Sequence, residues 1–214
     1  FAIRPNDWRN AFLLCRQRDK ASVTARVAAR VMSKRSGPLR PCSTFWSFRM
    51  ISKLKRSVLA MPGSNARALE KGKTLAADVL MFELEDGVAE TAKAVARQQV
   101  ADAVAGGGYG ARQIVVRVNV RGSEWYKPDI AAIAPVGPDA IVIPKVNTRD
   151  DILKAAADII AAGAPPKTRI WAMIETPRAI FDIEKIASAA DDSASRLEAL
   201  VLGPMTSPNR RARA

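Results

Sequence analysis

Three apolar runs in this sequence each end in charge, and the three lie far apart along the chain. Val79-Leu80-Met81-Phe82 passes into Glu83-Leu84-Glu85-Asp86, and Ile114-Val115-Val116 into Arg117-Val118-Asn119. Ile170-Trp171-Ala172-Met173-Ile174 passes into Glu175-Thr176. A strand flanked by helices is buried on both faces and reads as a continuous apolar run, so charge can enter only where the strand leaves the sheet. Charge repeated at successive strand ends gathers those ends around one polar pocket. A (β/α) barrel or an open α/β sheet builds its active site in that way, at the carboxyl face. The pattern predicts an enzyme.

Helical and strand-like segments alternate from Lys55 onward. Strands are expected at Ser57–Ala60, Val79–Phe82, Gln113–Val118, Ala140–Ile143, Ile170–Ile174 and Leu200–Leu202. Helices are expected over Ala66–Leu75 behind a Ser64 or Asn65 cap, Glu90–Ala105, Pro128–Ala134, Asp150–Ala162, and from Thr176-Pro177 to about Ala190. Strands alternating with such helices imply parallel βαβ units. Six units fit a doubly wound sheet or three quarters of an eight-stranded barrel. No Gly-x-Gly-x-x-Gly follows the first strand, which disfavours a dinucleotide site.

The formal charge of +13 suggests nucleic acid or a membrane until it is mapped. Residues 1–49 hold eleven Lys and Arg against two Asp, and Arg210, Arg211 and Arg213 close the sequence. The segment between is almost neutral, so the basic excess belongs to the ends. Both cysteines, Cys15 and Cys42, lie in the N-terminal segment, and nothing indicates a disulfide framework. The chain contains no histidine, which excludes His triads, His metal sites and His general bases. No apolar run approaches the roughly 20 residues that span a bilayer. Residues 1–49 have a presequence-like composition, but are expected to be upstream sequence or a fragment outside the fold.

Several short motifs occur in order: Arg56-Ser57-Val58-Leu59, Pro62-Gly63-Ser64-Asn65, Glu83 to Ala89, Lys93, Ala96-Arg97, Val116 to Asn119, Pro144-Lys145 and Ile174 to Pro177. Together they resemble the HpcH/HpaI aldolase and citrate lyase β-subunit family, nearest its malyl-CoA lyase branch, over residues 50–203. The resemblance implies a (β/α)8 TIM-type barrel, here incomplete with about six βα units. It implies a Mg²⁺-dependent carbon–carbon lyase acting on a β-hydroxyacyl thioester, carried on CoA or an acyl carrier. It also implies a cytoplasmic homo-oligomer with neither nucleic acid nor membrane as partner. An aldolase on free 2-keto acids is the enzymatic alternative. A non-catalytic product whose basic ends bind anionic partners is the other.

Glu175 is a hard oxygen donor at a strand end, and the resemblance implies that it is the metal-binding Glu and contacts substrate. A solvated Glu in a first helical turn is the plain alternative. Arg117 presents a planar fork suited to a substrate carboxylate or a developing enolate oxygen; the alternative is an internal ion pair with Glu85 or Asp86. The resemblance gives Glu85 and Asp86 catalytic roles, ordering the metal's water shell and holding active-site Arg and Lys groups. Adjacent strand residues face opposite ways, so only one can enter the pocket unless the chain has already turned. Glu83 is assigned no role. Lys145 is expected in a structural ion pair, Arg56 is a weak site candidate, and the turn at Pro62–Asn65 could meet the CoA or carrier arm.

After Leu202-Gly203 the family pattern continues with two residues and then Asp, its second metal ligand. Here Pro204-Met205-Thr206-Ser207-Pro208-Asn209 follows instead. Codons for that stretch, read in a shifted frame, can encode Asn-Asp-Leu. A single-base frameshift after Gly203 is therefore expected, leaving residues 204–214 aberrant and the chain poorly active.

Overall fold

The computed structural model describes residues 55–203. The chain divides into two units, residues 1–57 and 58–214, and every regular element among the described residues belongs to the second. The expectations for residues 1–49 and 204–214 lie outside the described residues.

Six strands form one sheet: β1 (Val58–Pro62), β2 (Val79–Glu83), β3 (Gln113–Arg117), β4 (Ala140–Ile143), β5 (Arg169–Ile174) and β6 (Leu197–Leu202). They lie in chain order and each neighbouring pair is parallel. A doubly wound sheet reverses its strand order at a switch point. This sheet never reverses, so the chain winds one way as in a barrel, and the architecture is an incomplete TIM-type barrel. The crossovers carry α1 (Ala66–Gly72), α2 (Lys93–Gly106), α3 (Tyr126–Ile133), α4 (Arg149–Ala161), and a pair, α5 (Pro177–Phe181) and α6 (Ile183–Ala187).

The strand residues sort by parity into two apolar layers. Leu80, Phe82, Val116, Ile141, Ile143, Ile170, Ala172 and Ile174 face the helices, meeting Leu69, Ala96, Val100, Ile130, Ile152 and Ile159. Val79, Val115, Ala140, Val142, Trp171 and Met173 form the inner layer. Fully burying one Ile or Phe contributes about 1.5–3 kcal/mol, so the larger helix-facing layer holds the elements in place. Continuing the inner rows by twos leads from Val79 through Met81 to Glu83, from Val115 to Arg117, and from Trp171 through Met173 to Glu175. The interior changes from apolar to charged at one level.

Capping follows the sequence closely. The Asn65 side chain accepts from Ala68 N–H at 3.1 Å, and Thr148 with Asp151 forms a reciprocal capping box on α4. Thr176 caps α5 with Pro177 at its start. The long helix expected from Thr176 to Ala190 is corrected, because it breaks at Asp182, which ends α5 and begins α6. Asp is a poor interior helix residue, and its carboxylate instead takes Lys185 at 2.8 Å. Two 3₁₀ turns, Ser188–Asp191 and Ser193–Ser195, complete that connection. Strand β6 starts three residues before its expected beginning. Glu198 interrupts the apolar signal there, yet it accepts a hydrogen bond from Trp171 Nε1 at 2.9 Å. Among the described residues no helix is long and apolar enough to cross a membrane.

Candidate active site

Four strand ends meet at the carboxyl face. Glu83 ends β2 and is the register partner of Arg117, which ends β3. Arg117 is largely buried, and its guanidinium is surrounded by acid. Nη1 lies 3.2 Å from Glu83, Nη2 lies 3.1 Å from Asp86, and Nη2 also pairs with Glu85 Oε2. Burial alone would lower the Arg117 pKa, but the fields of Glu83, Glu85 and Asp86 outweigh it and hold the value above the ordinary one. The ion-pair alternative weighed for Arg117 is thus the arrangement present. Both Glu85 and Asp86 reach it, because β2 ends at Glu83 and the chain has turned before Asp86. They differ in setting, since Glu85 is buried whereas the Asp86 side chain is 65% exposed.

Glu83 is the residue that sequence reasoning passed over. It is buried, and its Oε1 accepts the Glu85 N–H at 2.9 Å. Burial raises its pKa to about 7, against the lowering pull of Arg117 and of that N–H. Its parity with Met81 was the signal that could have found it. Gly87 covers it, and a Cβ on Gly87 would stand 2.7 Å from Glu83 Cγ.

A second network fixes the β2 loop from behind. The buried Lys93 ammonium donates to the carbonyls of Leu84 and Glu85 at 2.7 and 2.6 Å and to Asn119 Oδ1 at 2.7 Å. Asn119 in turn donates to Asp129, which also takes Arg97 Nε at 2.8 Å. Burial depresses the Lys93 pKa, opposed by Asp129 and the site carboxylates.

On the far side stands Glu175, 2% exposed, where β5 ends. Its Oε1 accepts the Lys145 N–H at 2.9 Å. Burial raises its pKa, opposed by that N–H and by Arg117. A Cβ on Gly203 would lie 3.1 Å from Glu175 Cβ and 3.2 Å from its Oε2, so Gly203 packs tightly against this side chain. Lys145 links the two sides, with its Nζ 3.3 Å from Glu85 Oε1. Glu85, Asp86, Arg117 and Glu175 therefore converge on one region.

Among the described residues, no three acid or thiol side chains are placed together to hold a metal ion. Mg²⁺ needs less than that, because it keeps several waters and binds through one or two carboxylates plus substrate oxygens. Glu83, Glu85, Asp86 and Glu175 outnumber Arg117, Lys145 and Lys93 here. The Glu175 carboxylate, a hard oxygen donor at a strand end, fits such a cation.

The HpcH/HpaI aldolase/citrate lyase family matches residues 56–206. A (3S)-malyl-CoA thioesterase of Cereibacter sphaeroides is 41% identical over 148 residues, covering 69% of this chain and 48% of that protein. The citrate lyase subunit beta of Escherichia coli is 36% identical over 157 residues, 71% of this chain and 51% of that one. The chain thus spans about half the length of the curated relatives it matches. Among solved structures, a citrate lyase beta subunit complexed with oxaloacetate and magnesium, from M. tuberculosis, aligns over 68% of this chain and 55% of that one. Its TM-score is 0.53, at 26% identity. The match across most of the described barrel shows that the chain belongs to the HpcH/HpaI aldolase/citrate lyase family.

Proposed function

We propose that this chain carries the site of a Mg²⁺-dependent lyase that cleaves or forms a carbon–carbon bond in a β-hydroxyacyl thioester. The observation that supports the reading most is the convergence of Arg117, Glu85, Asp86 and Glu175 at the carboxyl ends of β2, β3 and β5. A cytoplasmic setting and self-association belong to the same reading.

Glu175 would hold the cation, whose chemistry is to polarise the substrate's hydroxyl and acid oxygens. Arg117 binds the acid group. Asp86 is its most exposed partner, so it is the carboxylate that substrate displaces. Glu83 and Glu85 stay behind and keep the guanidinium aimed. Cleavage removes the proton of the β-hydroxyl and leaves the C–C electron pair on the thioester enolate. Taking up a proton, that enolate becomes the shorter acyl thioester. The proton acceptor must be a carboxylate or water, because no histidine exists. With Glu83 near 7, one carboxyl group of the cluster exchanges protons close to neutral pH.

The thioesterase relative supports a second reading, hydrolysis of the thioester itself. Products separate the two. Incubating the full chain with malyl-CoA and Mg²⁺ should release glyoxylate and acetyl-CoA, resolved by mass spectrometry. Malate with free CoA would favour the hydrolase, and no turnover of malyl or citryl thioesters, either by this chain or by one with the reading frame after Gly203 restored, would remove both.

A further inference from the structure

Lys145, just after β4, has φ +53°, one of two non-glycine residues in the left-handed region among the described residues. Such a conformation is strained for a side chain like lysine and persists only where the surroundings over-determine it. They do so here. The Lys145 N–H donates to Glu175 Oε1 at 2.9 Å, and its carbonyl accepts from Asn147 Nδ2 at 3.0 Å. Thr176, the cap of α5, hydrogen-bonds through its hydroxyl to Asn147 Oδ1. The neighbouring Val146 N–H donates to Met173 O at 3.2 Å.

This backbone sends the lysine side chain over Glu85, where it is held loosely. Nζ is at ion-pair distance, 3.3 Å, yet Glu85 Oε1 receives no hydrogen bond among the described residues. The other oxygen of Glu85 is taken by Arg117. The Lys145 side chain is also 37% exposed, against 12% for Arg117. Two cations therefore stand on opposite oxygens of one carboxylate, one clamped and one free to turn toward a ligand.

We infer that Lys145 is a specificity-determining contact: its ammonium leaves Glu85 to bind a second carboxylate on the substrate. The site would then favour citryl-type acyl chains, which carry two free acid groups, over those carrying one. The inference rests on the lyase reading and narrows its substrate class. A lysine serving only as structural support for Glu85 would not distinguish one acid group from two.

Oxaloacetate and pyruvate test this directly, since they share the 2-keto acid and differ by one carboxylate. Titration calorimetry on the full chain with Mg²⁺ should show that Lys145→Met weakens oxaloacetate at least about tenfold, a loss typical of one charged contact. Pyruvate should be unaffected. Lys145→Gly keeps access to the left-handed backbone and should lose as much as Lys145→Met, while Lys145→Arg should recover most of the affinity. Equal losses for both acids, or no loss for either, would overturn the inference while leaving the lyase reading in place. A wild-type chain that binds neither acid would overturn both.

Discussion

Glu83 and Arg117 occupy the last register position shared by β2 and β3, and their side chains meet at 3.2 Å inside the barrel. The pair is uneven. Arg117 is held charged by three acids, whereas burial raises the Glu83 pKa to about 7. Between pH 4.5 and about 7 the folded chain holds a proton on Glu83 that the unfolded chain has released. Whatever stability the protonated form provides is therefore lost as pH rises through that window.

Glu83→Gln imitates the protonated acid at every pH. Relative to this variant, the wild type should lose on the order of 2–3 kcal/mol between pH 4.5 and 8, at about 1.4 kcal/mol per pH unit. Urea melts at several pH values check this. A difference that stays flat, or grows in the opposite direction, would show that Glu83 titrates normally.

Arg117→Met removes the cation from three carboxylates. Breaking a buried pair in this way costs about 3–5 kcal/mol. Protonation of Glu83 relieves part of that cost, so the loss should be smaller at pH 5 than at pH 8. Activity toward any acid substrate should fall at both. Thermal melts at the two pH values give the comparison.

Lys93→Met strands the carbonyls of Leu84 and Glu85 together with the Asn119 side chain. Each unsatisfied buried polar group costs about 1–3 kcal/mol, so this variant should be among the least stable single changes in the barrel. Amide exchange should accelerate first in the loop from Leu84 to Val88. Uniform acceleration across the sheet would contradict a local role.

Gly203→Ala places a methyl group 3.2 Å from Glu175 Oε2. The Glu175 side chain must give by a few tenths of an ångström, so Mg²⁺ affinity measured by calorimetry should fall, with little change in melting temperature. Unchanged affinity would argue that Glu175 is not a ligand.

Much of this was legible from residue order. The apolar runs placed all six strands, and the charge ending three of them pointed to the cluster of Glu85, Asp86, Arg117 and Glu175. Glu83 escaped notice because one acid in an acidic cluster reads as loop, and only its parity with Met81 assigns it to the interior. Lys93 and Asp129 were invisible as a network, since nothing in sequence brings residues 84, 93, 119 and 129 together. Strand order, which separates a barrel from a doubly wound sheet, is a property of the winding path and leaves no mark in local composition. The break at Asp182 was hidden because a helical period continues on both sides of it.

The inner rows of β2, β3 and β5 are counted in twos, which makes the mouth of the barrel intolerant of changes in length. Inserting one residue between Val79 and Glu83 would rotate an apolar neighbour into the place of that acid and turn the acid outward among the helices. Strand substitutions of similar bulk would be absorbed by packing, but single insertions or deletions there would invert the lining. Natural variation in chain length should therefore gather in the helix-side loops and avoid these strands altogether.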